Sequence, residues 1–455
     1  MSSTELETPT ASSAWLRFLL PSAFGAGLLL IPFPLGGKIS IALGHAVDAA
    51  KASLGPTLQI SVTVVIVLSA ALALLLRLPP LSSWRALDGV LGPILRPGAL
   101  VTAMRCAGAV IAALVLLQRG PSWLVGPATG GVIFGDLLPL VFLILFAAAF
   151  IVPCLTDYGL MEFAGGLLSP IFRPIFGLPG RSAIDALASW LGAASVGVLI
   201  TANQYEQGAY TRREAMVIAG SFSVVSVPFA YVIVDFVGLG EQFIPYYLTV
   251  IVCGLVAALL CPFLPPLRSK ADDYLDGRLR ELPPRRSGGR GERVASPLAE
   301  ALAKASKSPS LSSLLRRAGL QVLDIWLGLL PMVALIGTGA IAVAETTPLF
   351  RWLGLPFVPI LQLLGLPEAG AAAPAMVVGF ADQFLPAVLG RSIESEATRF
   401  VVACTAVNQL IYLSEVGVIL LRSALPFRML DLVGVFLVRT VITLPIAAAG
   451  AHLVF

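Results

Sequence analysis

Residues 161–179 read MEFAGGLLSPIFRPIFGLP, and residues 350–367 read FRWLGLPFVPILQLLGLP. Both are proline-interrupted apolar stretches, Met161–Phe176 and Phe350–Leu364, and both close on Gly-Leu-Pro, at Gly177-Leu178-Pro179 and Gly365-Leu366-Pro367. After each comes a short, weakly hydrophobic segment holding an aspartate, Asp185 in the first and Asp382 in the second, and then two strongly apolar spans. A chain that runs twice through one order of events carries an internal repeat. Short, Gly/Pro-broken hydrophobic segments at corresponding places in two repeats mark secondary transporters, whose site lies where the broken segments meet.

Composition names the solvent. Hydrophobic residues make up 57% of the chain and charged residues 12%, with a mean hydropathy of +0.90. An average soluble domain carries roughly 25% charge, so this is a polytopic membrane protein with the lipid bilayer as its first partner. Met1–Ser13 is polar and mildly acidic, without the basic start and cleavage site of a signal peptide, and Leu16–Phe33 reads as a first span. The net charge of +4 needs no nucleic acid, because most of the excess falls in loops expected to face an anionic cytoplasmic leaflet. The five cysteines lie in or beside apolar spans without CxxC pairing, as small packing residues do.

Hydropathy gives nine expected spans, near 16–33, 57–77, 99–117, 137–154, 214–236, 244–264, 319–344, 398–421 and 430–450. Two further segments, 182–202 and 371–390, are long enough to cross but broken by polar and helix-disfavouring residues. Charge decides how they run. If both dip in and return, with the N-terminus cytoplasmic, the 78–98 loop, the 203–213 loop and the 265–318 linker with its twelve Lys and Arg residues all face the cytoplasm. If 182–202 crossed, that linker would lie outside, against the positive-inside rule. Re-entry is therefore expected, and non-helical backbone at membrane depth needs a polar cavity or protein around it.

The expected architecture is an all-α polytopic membrane protein of about nine transmembrane helices and two re-entrant hairpins in an inverted repeat. Residues 1–135 form three scaffold spans, which read as an oligomer or partner-protein contact. Residues 136–264 form the first repeat with hairpin 182–202, and 319–455 the second, inverted repeat with hairpin 371–390. The basic linker 265–318 reads as a mostly flexible cytoplasmic tether with one short surface helix near Ser296–Ser306. The C-terminus is expected outside.

Leu155–Gly159 (LTDYG), Phe172–Ala186 (FRPIFGLPGRSAIDA), Gly197–Thr201 and Tyr210–Ala215 (YTRREA) together resemble the YjiH-type bacterial inner-membrane proteins of the nucleoside-recognition, or Gate-domain, group. The close match covers about 155–230, and the second repeat follows in outline. That group is similar to the core of concentrative nucleoside transporters. The resemblance implies a nucleoside-transporter-like fold in the bacterial inner membrane and, by the group's name, nucleoside handling.

Ionisable groups inside the bilayer are costly and so mark function by default. Asp185 and Ser189 fall in the first arm of hairpin one, with Asn203 just after it and Ser223 in the next span. Asp382 and Gln383 fall near the bend of hairpin two, and Asn408, Gln409, Tyr412 and Glu415 in the matching span. These ten are the candidate solute and ion contacts. For the last four, helix-to-helix hydrogen bonding is the competing role. Arg181 precedes Asp185 by four residues, so an ion pair there is the competing role for that aspartate. Asp324 and Arg439, each inside an apolar span, are expected to pair with one another.

No enzyme is expected. His45 and His452 stand far apart, and Gly36-Gly37-Lys38-Ile39 lacks the earlier glycine and the hydroxyl residue of a phosphate-binding loop. No cofactor is called for beyond a coupling sodium ion or proton. The leading function is ion- or proton-coupled transport of a small polar solute, nucleoside-like or amino-acid-like. The alternative is a non-transporting Gate-domain scaffold or accessory subunit, with the linker as its docking surface.

Overall fold

Proline placement shows the repeat at work. Leu138–Thr156 and Leu330–Thr346 each carry proline in the first turn, Pro139 and Pro331, and each follows a π-turn, Ile133–Leu137 and Ile325–Leu329. Proline has no N–H to give, so it is tolerated where a helix turn is widened or just begun. The same device recurs at the head of both repeats.

The computed structural model describes residues 11–36, 38–78, 91–192, 194–222, 225–277 and 292–455. Among them, six helical runs are long and apolar enough to cross a membrane: Pro56–Leu75, Ala99–Leu116, Ser122–Thr156, Gly240–Ser269, Leu311–Ala344 and Met429–Val454. A bent pair, Arg212–Phe222 and Val227–Phe236, with 40° between its helices at the break, is a seventh candidate if the two count as one span. The protein is thus an all-α, multi-pass membrane protein. Its β-structure among the described residues is one short ribbon, Pro32–Leu35 against Lys38–Ile41.

Two expected spans differ in their course. Span 16–33 is helical over Ala11–Leu29, around Pro21, and then turns into the ribbon. Span 398–421 is two helices, Glu396–Gln409 and Val416–Arg422, separated by a non-helical stretch. The expected hairpins both form. The first has arms Ser182–Leu191 and Ala194–Glu206, crossing so closely at Gly197 that a Cβ there would overlap the Ser189 side chain. The second folds Ala369–Ala372 and Ala375–Val378 back onto Leu385–Gly390.

Ion pairs sort the loops into two ends of the bundle. Lys51 meets Asp235 at 2.7 Å, and Asp136 meets Arg391 at 2.8 Å. Asp157 meets Arg317 at 2.8 Å, Glu162 meets Lys304 at 3.5 Å, and Lys270 meets Asp431 at 2.7 Å. Asp136 and Asp157 flank one 19-residue helix, so at about 1.5 Å per residue the two sets lie some ~28 Å apart. Hairpin two ends at Arg391, with the first set. Hairpin one leads into Arg212, which pairs with Asp273 at 3.2 Å, next to Lys270 and the second set. The hairpins therefore open from opposite ends, as an inverted repeat requires. The exposed pairs among them add only about 0–1 kcal/mol each; the value of all of them here is in registering the ends.

The buried apolar side chains show how the repeats interlock. One cluster joins hairpin two, through Ala372, Met376 and Val388, to Val227–Phe236 of the first repeat. The other joins hairpin one, through Ala183, Ala186 and Val198, to Val416 and Leu420 of the second. Each hairpin thus packs on the half-helix that follows the other repeat's break.

The linker is more structured than a tether. Its helix runs Glu292–Ser306, and Ala301 and Ala305 are buried against Phe18, with Leu298, Leu302 and Phe163 packed around them. Gly159 (φ +97°) lies where a side chain would strike the Ala301 carbonyl, and Gly166 lies against Pro297. Residues 311–318 belong to the crossing helix that begins at Leu311. Apolar residues at helical spacing in a polar context account for the docking; the composition of the surrounding linker hid them. Residues 278–291 of the linker lie outside the described residues.

Candidate functional site at the helix breaks

The site is built at the second repeat's break. Glu396–Gln409 starts on a Ser395 cap, whose hydroxyl accepts the Thr398 N–H, and stops at Leu410. Leu410 has φ +60° and ψ −42°, and the Ile411 N–H donates to the Gln409 carbonyl at 2.6 Å. That is the strained form of the γ-turn, in a region L-residues rarely occupy, costing about 1–3 kcal/mol. The chain holds it because the turn of hairpin two replaces the lost helical bonds. Leu413 N–H donates to Phe380 O at 2.8 Å, and Ser414 N–H to Ala381 O at 3.1 Å. Gln409 Nε2 donates to Met376 O at 2.8 Å and to Thr440 Oγ1 at 3.1 Å.

Six of the ten expected residues lie at this junction, four on the broken span and two on the hairpin turn. Asn408 and Gln409 are fully buried in the last helical turn. Tyr412 is buried inside the break, its hydroxyl donating to Glu415 Oε2 at 3.4 Å; Glu415 itself is exposed and stands at the N-cap of Val416–Arg422. Asp382, half-buried, accepts the Phe384 N–H at 2.9 Å and the Ser414 hydroxyl. Gln383 is buried, 3% exposed. Asn408 Oδ1, Gln409 Oε1, Gln383 Nε2 and Thr405 Oγ1 are all buried without a hydrogen-bond partner. Buried polar atoms are almost always satisfied, and leaving one orphaned costs about 1–3 kcal/mol. Thr405, Asn408 and Gln409 lie on the final turns before the break, and Gln383 on the hairpin turn that closes it.

The described first-repeat candidates have contacts of their own. Asp185 Oδ2 accepts the Tyr210 hydroxyl at 2.9 Å and the Thr201 hydroxyl at 3.4 Å, tying the first arm to the second arm and to the segment after it. Arg181 sits over the Tyr210 ring, 6.0 Å from its centroid, so its charge acts on Asp185 from a distance. Ser189 fills the arm crossing at Gly197, and Asn203 is exposed on the second arm. Ser223 lies outside the described residues. The tip of hairpin one reaches its own repeat's break all the same: Trp190 Nε1 donates to Phe222 O at 2.7 Å.

Arg439 is the buried charge whose partners the sequence misplaced. It does not pair with Asp324, which faces Arg105 instead. Arg439 is fully buried, and its Nε donates to Asn408 O at 2.7 Å while Nη1 donates to Ser221 O. One guanidinium thus touches the last helical turn before each break. A partner that is a backbone carbonyl leaves no mark in the sequence, whereas an aspartate in a neighbouring span does, and that explains the misassignment. Thr440, one residue on, was likewise missed as the second partner of Gln409.

The Gate (nucleoside recognition) family model matches residues 138–240. The solved structures of a CNTnw variant in its intermediate 1 and intermediate 2 states align with 99% of this chain and 94% of theirs, at 14% and 13% identity and TM-scores of 0.40 and 0.41. An uncharacterized protein of Alkalihalophilus pseudofirmus is 45% identical over 449 residues, spanning 99% of this chain and 96% of that protein. Identity of that order along nearly the whole chain, with the matched recognition domain inside it, makes this protein a member of the Gate-domain, nucleoside-recognition family of multi-pass membrane proteins.

Proposed function

We propose that this chain is a secondary transporter of a small polar solute, nucleoside-like or amino-acid-like, working in a bacterial inner membrane. The observation that carries the reading is the cluster of orphaned buried groups, Asn408 Oδ1, Gln409 Oε1 and Gln383 Nε2, at a strained helix break that a hairpin closes. Broken helices from two inverted repeats, meeting at mid-depth, are the arrangement in which transporters bind solute and coupling ion. Asp382 and Glu415 are the carboxylates we assign to the ion- or proton-linked step, and Asn408, Gln409, Gln383 and Tyr412 to the solute. Asp185 and Ser189 serve as supports of hairpin one. Following the positive-inside rule, the end bearing Asp157, Asp273 and the linker is cytoplasmic.

The scaffold alternative draws on the basic linker as a docking surface. The apolar face of its helix is spent on Phe18 and Phe163 of the same chain, which weighs toward transport. The test is thermal stabilisation of the purified protein across nucleosides, amino acids, dipeptides and ions, followed by uptake of any hit into proteoliposomes under an imposed gradient. A ligand present at about 100 times its Kd raises stability by about 2.7 kcal/mol, which is plain in a melting curve. A hit that accumulates on imposing a gradient supports transport. Hits that bind without accumulating would favour a receptor or scaffold.

A further inference from the structure

The junction between the breaks holds a charge that solute binding alone leaves unexplained. Arg439 lies 10 residues after Met429 and 15 before Val454 in the terminal helix, so at about 1.5 Å per residue it stands well over 10 Å from either end. A fixed cation at such depth costs several kcal/mol unless its surroundings answer it. Here they do so with carbonyls. Asn408 O belongs to the last turn of Glu396–Gln409, and Ser221 O to the π-turn Ile218–Phe222 that ends the Arg212–Phe222 run. The last carbonyls of a helix lack intrahelical partners, and that end carries roughly half a negative charge. Two such ends, one from each repeat, converge on a single guanidinium.

Carbonyls at the C-terminal ends of broken helices are the donor set with which transporters hold a coupling cation. In this chain, a side chain already occupies that position. The choice of residue follows from the geometry, because a planar fork with donors pointing in different directions can satisfy carbonyls on two helices at once. A lysine ammonium, compact and strongly hydrated, is poorly suited to do so.

We propose that Arg439 is a built-in cation: its tethered charge fills the carbonyl-lined junction between the two breaks, so that no alkali cation binds there and the protein's stability does not depend on sodium. The inference deepens the transport reading, which it needs only for the corollary that sodium is not the driving ion at this junction.

The experiment follows the melting temperature of the full-length purified protein, without solute, in sodium, potassium and choline chloride at equal ionic strength. Wild type is expected to melt at the same temperature in all three. Arg439→Ala should melt several degrees lower, and about 10 mM guanidinium chloride, far below denaturing strength, should restore much of the loss where tetramethylammonium does not. Arg439→Lys should melt between the two. A wild type stabilised by sodium over choline overturns the proposal, and so does an Arg439→Ala variant that melts with wild type or ignores guanidinium. Should Arg439→Ala fail to purify, Arg439→Lys and the wild-type ion series still test the claim: a lysine variant that melts with wild type overturns it. Because no solute is present, a protein that passes these measurements but binds no solute keeps its tethered cation and loses only the transport reading.

Discussion

Gln409 shows how one side chain can bind two elements and still offer an unused atom. Its amide nitrogen is spent on Met376 O and Thr440 Oγ1, and its oxygen lies in the space that a Cβ at Gly379 would take. Gly379 has ordinary helical angles, so alanine suits the backbone there and the contact alone carries the penalty. Gly379→Ala is therefore expected to cost about 1–3 kcal/mol, as overpacking does, because the carboxamide must swing off both its bonds. Removing the carboxamide in Gly379→Ala/Gln409→Ala should relieve that clash, giving a coupling of about 1–2 kcal/mol in a double-mutant cycle read by thermal unfolding. Strict additivity would separate the hairpin turn from the break. Asn408 and Gln409 were legible because polar residues stand out in an apolar span, while Arg439 was legible as a charge and illegible in its partners. Elements that meet only in the folded protein had to supply those carbonyls.

The two hairpins look alike in sequence and differ in what their aspartates touch. Their positions followed from weak hydropathy and glycine content, since a helix of such residues gains little from lipid. The breaks after Phe222 and after Gln409 were hidden, because Val225, Val227, Leu410 and Ile411 keep the hydropathy of the sequence high. Hairpin one is strapped by a carboxylate that the protein itself consumes, whereas hairpin two presents its carboxylate at the break. Tyr210→Phe removes the nearer of two hydroxyl donors from the buried Asp185 and should cost about 1–3 kcal/mol, the usual consequence of a hydrogen bond lost in the interior. Asp185→Asn keeps an acceptor for both hydroxyls and should retain ligand-induced stabilisation, while Asp382→Asn and Asn408→Ala abolish it. These responses are read in the same melting assay as the ligand panel. An Asp185→Asn variant that folds as wild type yet ignores every ligand would return Asp185 to the solute site.

At the scale of the whole molecule, the inverted repeat makes a statement about sides that labelling can check. Two sets of ion pairs, joined through Asp136 and Asp157 at the two ends of one crossing helix, place Arg391 at one end and Arg212 at the other. His452 agrees, since it reaches Leu364 O at 2.9 Å from the far end of a helix whose start is tied to Lys270. Gln207 and Glu394 are exposed beside those two loops, and of the native cysteines four are buried and Cys106 is half-buried. Single cysteines at Gln207 and Glu394, each in a cysteine-free background, should therefore react with a membrane-impermeant maleimide from opposite sides. In intact cells only the Glu394 position should label if the positive-inside rule governs, since it assigns the end with the linker's twelve basic residues to the inside. Exclusive labelling at Gln207 would reverse the orientation and leave the repeat intact. Labelling of both from one side would require the hairpins to open in the same direction, and the convergence of two half-helix ends on Arg439 would then need a different origin than inverted symmetry.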